Sequence, residues 1–204
     1  MKVVGYQGGY GKGRHSPQRQ ERRHQHPRQD PETIRGIKKA FEEGNFSEVR
    51  TSLRKSEVRD ALKSLYQEVK SKAREENGKG FKNWDEIEVL KNAAIVAAYA
   101  VVNDLRTTQI RKIIEMAKSL HTEVTTKKDM TAVTQKIKKE AVRMNMLMAY
   151  YAGKNKSVLP IQEVLEPILN WLSLDQNASP ENFEKVYMFF EAIVAYHRYF
   201  GGRE

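Results

Sequence analysis

The sequence predicts an all-α fold, a compact helical bundle of about five to seven helices with a disordered basic N-terminal tail. Three observations lead there. Apolar residues recur at intervals of three and four through most of the chain after residue 30. No segment alternates apolar and polar residues for long enough to form a strand. Helix-starting and helix-ending residues punctuate the periodic runs where those runs begin and stop. The boundaries that follow are a tail over 1–30 and a single helical-bundle domain over 31–204.

The tail differs in composition from the rest. It holds seven Lys and Arg against Glu21 and Asp30, and beyond Val4 it has no Val, Ile, Leu, Met, Phe or Trp. Such a segment cannot offset its chain entropy by burial. Its start, Gly5-Tyr6-Gln7-Gly8-Gly9-Tyr10-Gly11-Lys12-Gly13, interleaves rings and charge as single-strand RNA-binding tails do. A merely solubilising extension has the same composition.

Asp30-Pro31-Glu32 supplies a cap, a first-turn proline and an early acid for a first short helix that Gly44 ends. From Phe46 to Asn77, Val49 and Leu53, then after a break Val58, Leu62, Leu65 and Val69, keep helical spacing, and Asn77-Gly78 stops the run. A loop over 79–83 precedes a helix from Trp84 to Asp104. Its second half is apolar on nearly every face, which marks it as the central, most buried element. Thr107 or Thr108 is expected to cap the next helix, whose core stripe is Ile110, Ile113, Ile114, Ala117 and Leu120, with His121 at its end. A long helix from Asp129 to Tyr151 follows, then a linker over 153–157. Residues 159–174 are helical, with Pro167 expected to kink or break them. Ser179-Pro180-Glu181 opens an aromatic last helix that Gly201-Gly202 ends.

Several function classes fall away. There is no Cys, so no disulfide framework, thiolate metal site or cysteine nucleophile is expected. The apolar stretch 93–102 is about half the length that spans a bilayer. No apolar signal region follows Met1, so a soluble cytoplasmic protein without membrane partners is expected. His24 and His26 could bind a transition metal only in the tail, where nothing would orient them. Gly11-Lys12 lacks the hydroxyl residue and the strand-to-helix context of a phosphate loop. No catalytic residue, metal site or cofactor is assigned, and the chain reads as a binder rather than an enzyme.

A net charge of +10 favours a polyanionic partner. Thr108, Arg111, Glu115 and Lys118 lie opposite the isoleucine stripe at 3-4-3 spacing, with Arg106 just before. A helix start with hydroxyls and arginines is suited to phosphate. On the long helix Lys136, Lys139 and Arg143 fall at i, i+3 and i+7 beside Lys138, and Lys154 and Lys156 extend the charge beyond. Such stripes match backbone contacts, which position without reading sequence. They also occur as plain solvated faces, and Glu115 and Glu140 partly neutralise them. A helical protein–protein adaptor with incidental basic surface, or a helical DNA-binding regulator, remains open on these grounds.

Leu105-Arg106-Thr107-Thr108-Gln109-Ile110-Arg111-Lys112 resembles the Leu-Thr-Thr-Ser-Gln-Ile-Arg signature of the small helical subunit of type III-A CRISPR effector complexes. The ending Phe189-Phe190-Glu191-Ala192-Ile193-Val194-Ala195-Tyr196-His197-Arg198-Tyr199-Phe200-Gly201-Gly202 is similar to that family's closing helix. The resemblance covers 84–202 and leaves out 1–30. It implies a non-catalytic, RNA-binding structural subunit in antiviral defence, stacked in several copies beside backbone subunits and a large multidomain subunit. Together these would line the channel for the guide RNA–target RNA duplex, with base pairing doing the reading. Gln109, Arg111 and Lys112 match the signature and become candidates for RNA contact or for shaping the helix start. Arg106 stands where the signature has Thr, and Thr108 keeps the hydroxyl of its Ser. His197 and Arg198, in the closing motif, are expected at a subunit interface.

Overall fold

The computed structural model describes residues 31–126 and 129–204. The tail 1–30 and the Asp30 cap expected from the sequence lie outside them. Among the described residues eight α-helices follow in order: α1 (Pro31–Glu42), α2 (Phe46–Ser52), α3 (Ser56–Arg74), α4 (Glu86–Val102), α5 (Thr107–Thr126), α6 (Met130–Lys154), α7 (Leu159–Leu172) and α8 (Pro180–Tyr199). Among the described residues the lone β-type pairing is a bridge between Arg106 and Arg203. The all-α bundle is as expected. The break after Leu53 separates α2 from α3 and brings the helices to eight.

The centre is α4. Asp85 accepts from the Glu88 amide at 2.8 Å while the Glu88 carboxylate accepts from the Asp85 amide at 3.3 Å, so both ends of a capping box are closed. From there Ala93 to Ala98 are all buried, and the alanines among them let both α3 and α8 pack closely on the helix. Phe81, Trp84, Trp171 and Phe189 pack edge to face beneath the start of α4, joining it to α7 and α8.

Three expectations change. Residues 79–83 are not a loop but the later part of a 3₁₀ segment, Glu75–Asn83, which is kinked at Glu76, Asn77 and Gly78 by positive φ angles and packs on α7. Its Gly78 has φ +96, and a Cβ there would stand 2.1 Å from the Pro167 carbonyl oxygen, so only glycine allows this approach. Pro167 does not break its helix, and α7 runs on to Leu172. Its ring is buried together with Val164, Leu165, Ile168 and Trp171, and that burial outweighs one missing hydrogen bond. The linker expected over 153–157 is shorter: α6 continues to Lys154, and Lys156–Val158 is a 3₁₀ turn.

One polar knot crosses the core edge between α3 and α7. Tyr66 donates to Glu163 at 2.8 Å, Lys70 reaches the same carboxylate oxygen at 2.8 Å, and Tyr66 stacks on Tyr99. Burial pushes the Glu163 carboxyl up, but the bonds from Lys70 and Tyr66 prevail and hold it below the usual range.

Candidate nucleic-acid interface

The two motifs at 105–112 and 189–202 meet in space. After α4 the chain turns at Asp104, which has φ +59, and buries Leu105. The Leu105 carbonyl lies 2.9 Å from Nε2 of His197, a ring only 3% exposed near the end of α8. A carbonyl oxygen only accepts, so Nε2 carries the proton and Nδ1 is left as an acceptor. Nδ1 faces the Thr107 hydroxyl at 3.4 Å. Burial holds the His197 pKa below its ordinary value, against the bond to Leu105 that raises it. His197, expected at an interface, is therefore an internal clasp, while Arg198 beside it is exposed and pairs with Glu204 at 2.7 Å.

Residues 202–203 close the same corner. The Gly202 amide donates to the His197 carbonyl at 2.8 Å, and the Thr107 amide donates to the Arg203 carbonyl at 3.0 Å. A Cβ on Gly202 would stand 2.2 Å from the His197 ring. The expected threonine cap is replaced. Gln109 accepts from the Arg106 amide at 3.0 Å and from the Ser157 hydroxyl at 2.9 Å, which ties the start of α5 to the turn after α6. Arg106 holds the position just before the helix, Thr107 belongs to its first turn, and the side chain that closes the end is the glutamine three positions on. The free first-turn amides expected for a phosphate are partly used, since Thr107 gives its amide to Arg203 and Gln109 to the Arg106 carbonyl. What remains is charge. Arg106, Thr108, Asn155 and Arg203, with Asp104, border a polar recess of about 790 Å³. Neither guanidinium has an ion-pair partner among the described residues.

Beyond the recess Arg111, Lys112 and Lys118 are exposed along α5, also without ion pairs among the described residues. On α6 the stripe is uneven. Lys136 lies 3.4 Å from Glu123 and 3.7 Å from Glu140, and Arg143 lies 3.8 Å from Glu140, whereas Lys139 is exposed and unpaired among the described residues. Lys136 and Arg143 share one helical face, and the contact with Glu123 shows that this face looks toward α5. Lys138 faces the other way, toward Asp175. At the far end Lys154 sits 5.0 Å over the exposed Tyr150 ring, next to Asn155 of the recess.

Thus Arg106, Thr108 and Gln109 gather with Lys154 at one end of the α5–α6 hairpin. Arg111, Lys112 and Lys118 run outward from it, and Lys136 is largely neutralised. Arg203, Asn155 and Ser157 were not singled out from the sequence, because only the fold brings them to residue 106. His121 does not end its helix: α5 runs on to Thr126, and His121 stacks on Tyr187 at 4.1 Å and lies 2.9 Å from Glu184. No group of three or more His, Asp or Glu suited to a metal gathers among the described residues. No helix among them is long and apolar enough to cross a membrane.

A family model described as Csm2 Type III-A matches residues 83–203, a span that contains both halves of the clasp and the whole α5–α6 hairpin. No curated protein matches the chain.

Proposed function

The chain belongs to the Csm2 Type III-A family and so is a subunit of a type III-A CRISPR effector complex; from that premise we propose that it is a non-catalytic, cytoplasmic subunit that holds the guide RNA–target RNA duplex by its phosphates. Its other partners on this reading are the large multidomain subunit, the backbone subunits and neighbouring copies of itself. The observation that carries the reading is the row of exposed cations with no ion-pair partner among the described residues: Arg106 and Arg203 at the recess, then Arg111, Lys112 and Lys118 down α5. A cation already paired inside the protein gains little from a phosphate, while an unpaired one releases condensed counterions from the RNA. By this criterion Lys139 is the favoured contact on α6, and Lys136 contributes little.

Gln109 and Thr107 act one step back, by fixing the corner from which Arg106 and Arg111 project. The duplex is read by base pairing, so contacts of this kind need carry no sequence preference. The aromatic residues of α8 that an adaptor would offer are mostly turned inward, Phe183, Phe189 and Phe190 among them.

The test is retention of target RNA by assembled complexes carrying Arg111→Glu and Lys139→Glu together, over a series of salt concentrations. The expected result is weaker retention and a shallower salt dependence, with log K against log salt losing about 0.7–0.9 of slope per phosphate contact removed. Retention and slope equal to those of unmodified complexes would refute the assignment.

A further inference from the structure

The positive charge of the molecule is not uniform, and one end of the bundle is acidic. Between the start of α4 and the first three turns of α8 lies a groove of about 970 Å³ with Trp84, Ile87, Tyr187 and Met188 among its apolar lining. Asp85, Glu86, Glu181, Glu184 and Glu191 border it against a single lysine, Lys185. That lysine is turned back onto the chain. It donates to the Lys82 carbonyl at 2.8 Å and lies 5.4 Å over the Phe81 ring, and desolvation lowers its pKa. Ile87, which lines the same groove as these carboxylates, is 76% exposed, and Leu90 is exposed one turn further along α4. An apolar floor under concentrated negative charge repels RNA and suits a basic peptide with apolar or aromatic residues between its charges.

The chain supplies such a peptide. Residues 1–30 carry seven Lys and Arg against two acids, with Tyr6 and Tyr10 among the glycines. They also join the fold at the right end. Lys38 pairs with Glu68, and Phe41, at the end of α1, borders Leu65, so α1 runs antiparallel to α3. Arg59 donates to the Val102 carbonyl and Tyr66 stacks on Tyr99, so α3 in turn runs antiparallel to α4. The start of α1 therefore points to the end of the bundle where α3 finishes and α4 begins, which is the end that carries the groove. Thirty residues can span about 100 Å when extended, so reach does not limit the contact. Being tethered nearby gives the segment a local concentration on the order of millimolar.

We infer that this acidic groove is the docking site for the chain's own basic segment, residues 1–30 of the same molecule. The inference is independent of the RNA reading, which concerns the α5–α6 face. The occupant is recognised by charge and by tyrosine packing rather than by a unique sequence.

The absence of Cys makes the test clean. A spin label is placed on the full chain through Leu90→Cys at the groove, or through Ser119→Cys on the exposed face of α5 as a control. Paramagnetic broadening is then read at the amides of residues 2–30 in isotope-labelled protein. The expected result is broadening of these amides by the label at 90 and not by the label at 119. It should fall to the control level at high salt, and in a chain that also carries Glu86→Lys and Glu181→Lys with unchanged core resonances. The salt titration needs no charge substitution, so the answer does not depend on that variant folding. Equal effects from the two labels would overturn the inference. So would broadening seen only between a labelled chain and a separate isotope-labelled one, since the groove would then join two copies.

Discussion

Gly202 touches the imidazole that the corner depends on. A methyl group there would overlap the His197 ring at 2.2 Å from Cε1, with Nδ1 and Nε2 only slightly farther away. The ring cannot retreat without releasing the Leu105 carbonyl. Gly202→Ala is therefore expected to destabilise the protein by about 1–3 kcal/mol, as overpacking does, read as a lower denaturant midpoint. His197 also sets a pH dependence. Its pKa is lowered in the fold, so the unfolded chain takes up a proton first as pH falls. Its contribution is complete at pH values well above about 6.5, the ordinary histidine value, and declines as pH drops through that value. Denaturant unfolding between pH 8 and 5 should show a larger decline in the unmodified protein than in His197→Gln; equal slopes would remove the role given to the ring. The burial of His197 could be foreseen from spacing alone. Phe183, Phe190 and His197 are seven apart on one helix, so the stripe that buries the two phenylalanines reaches the histidine as well.

At the scale of the element, α7 shows where local rules are overruled. Proline within 159–174 argued for a kink or a break; the break does not occur, because each flanking turn is buried deeply enough to keep the helix continuous. The knot at Glu163 holds α7 to α3 one turn before the proline. Glu163→Gln keeps the shape and removes the charge from two hydrogen bonds, with an expected loss of about 1–3 kcal/mol in urea unfolding at neutral pH. The carboxyl pKa is lowered in the fold, so this contribution is present above about pH 4.3, the ordinary glutamate value, and is lost as pH falls through the folded value. The variant and the unmodified protein should thus converge in stability in acid, and a gap that persists there would place the effect in packing. The helices themselves were legible from three-and-four spacing. Their ends were less so: α5 outlasts His121 because the hydroxyls of Thr122, Thr125 and Thr126 turn back onto helix carbonyls instead of competing with the helix.

For the whole molecule, α4 and the distribution of charge matter most. The middle of α4, residues 93–98, is buried on every side and has no face on which to absorb extra volume. Ala97→Leu there is expected to cost about 1–3 kcal/mol and to lower the melting temperature as one cooperative transition, because both α3 and α8 pack on this helix. The central place of α4 could be read from its all-round apolar composition. The basic residues of α5 and α6 could be listed from the sequence, but not sorted. Lys136 and Lys139 look alike on a helical wheel, and only the fold brings Glu123 and Glu140 to the first of them. The acidic groove was invisible for the same reason, since Glu86 and Glu181 are far apart in the chain and meet only when α8 lies on α4.

The clasp at Leu105 has a consequence for synthesis. Its histidine follows the carbonyl it holds by 92 residues, which at 5–20 residues per second is roughly 5–20 s of translation. Throughout that interval the corner between α4 and α5 is without its bolt, and loop closure must bring the two motifs together after most of the helices exist. Residues made long after Leu105 therefore complete the corner from which the Arg106 and Arg111 side chains project, and a chain interrupted before His197 would carry those arginines without the geometry that presents them.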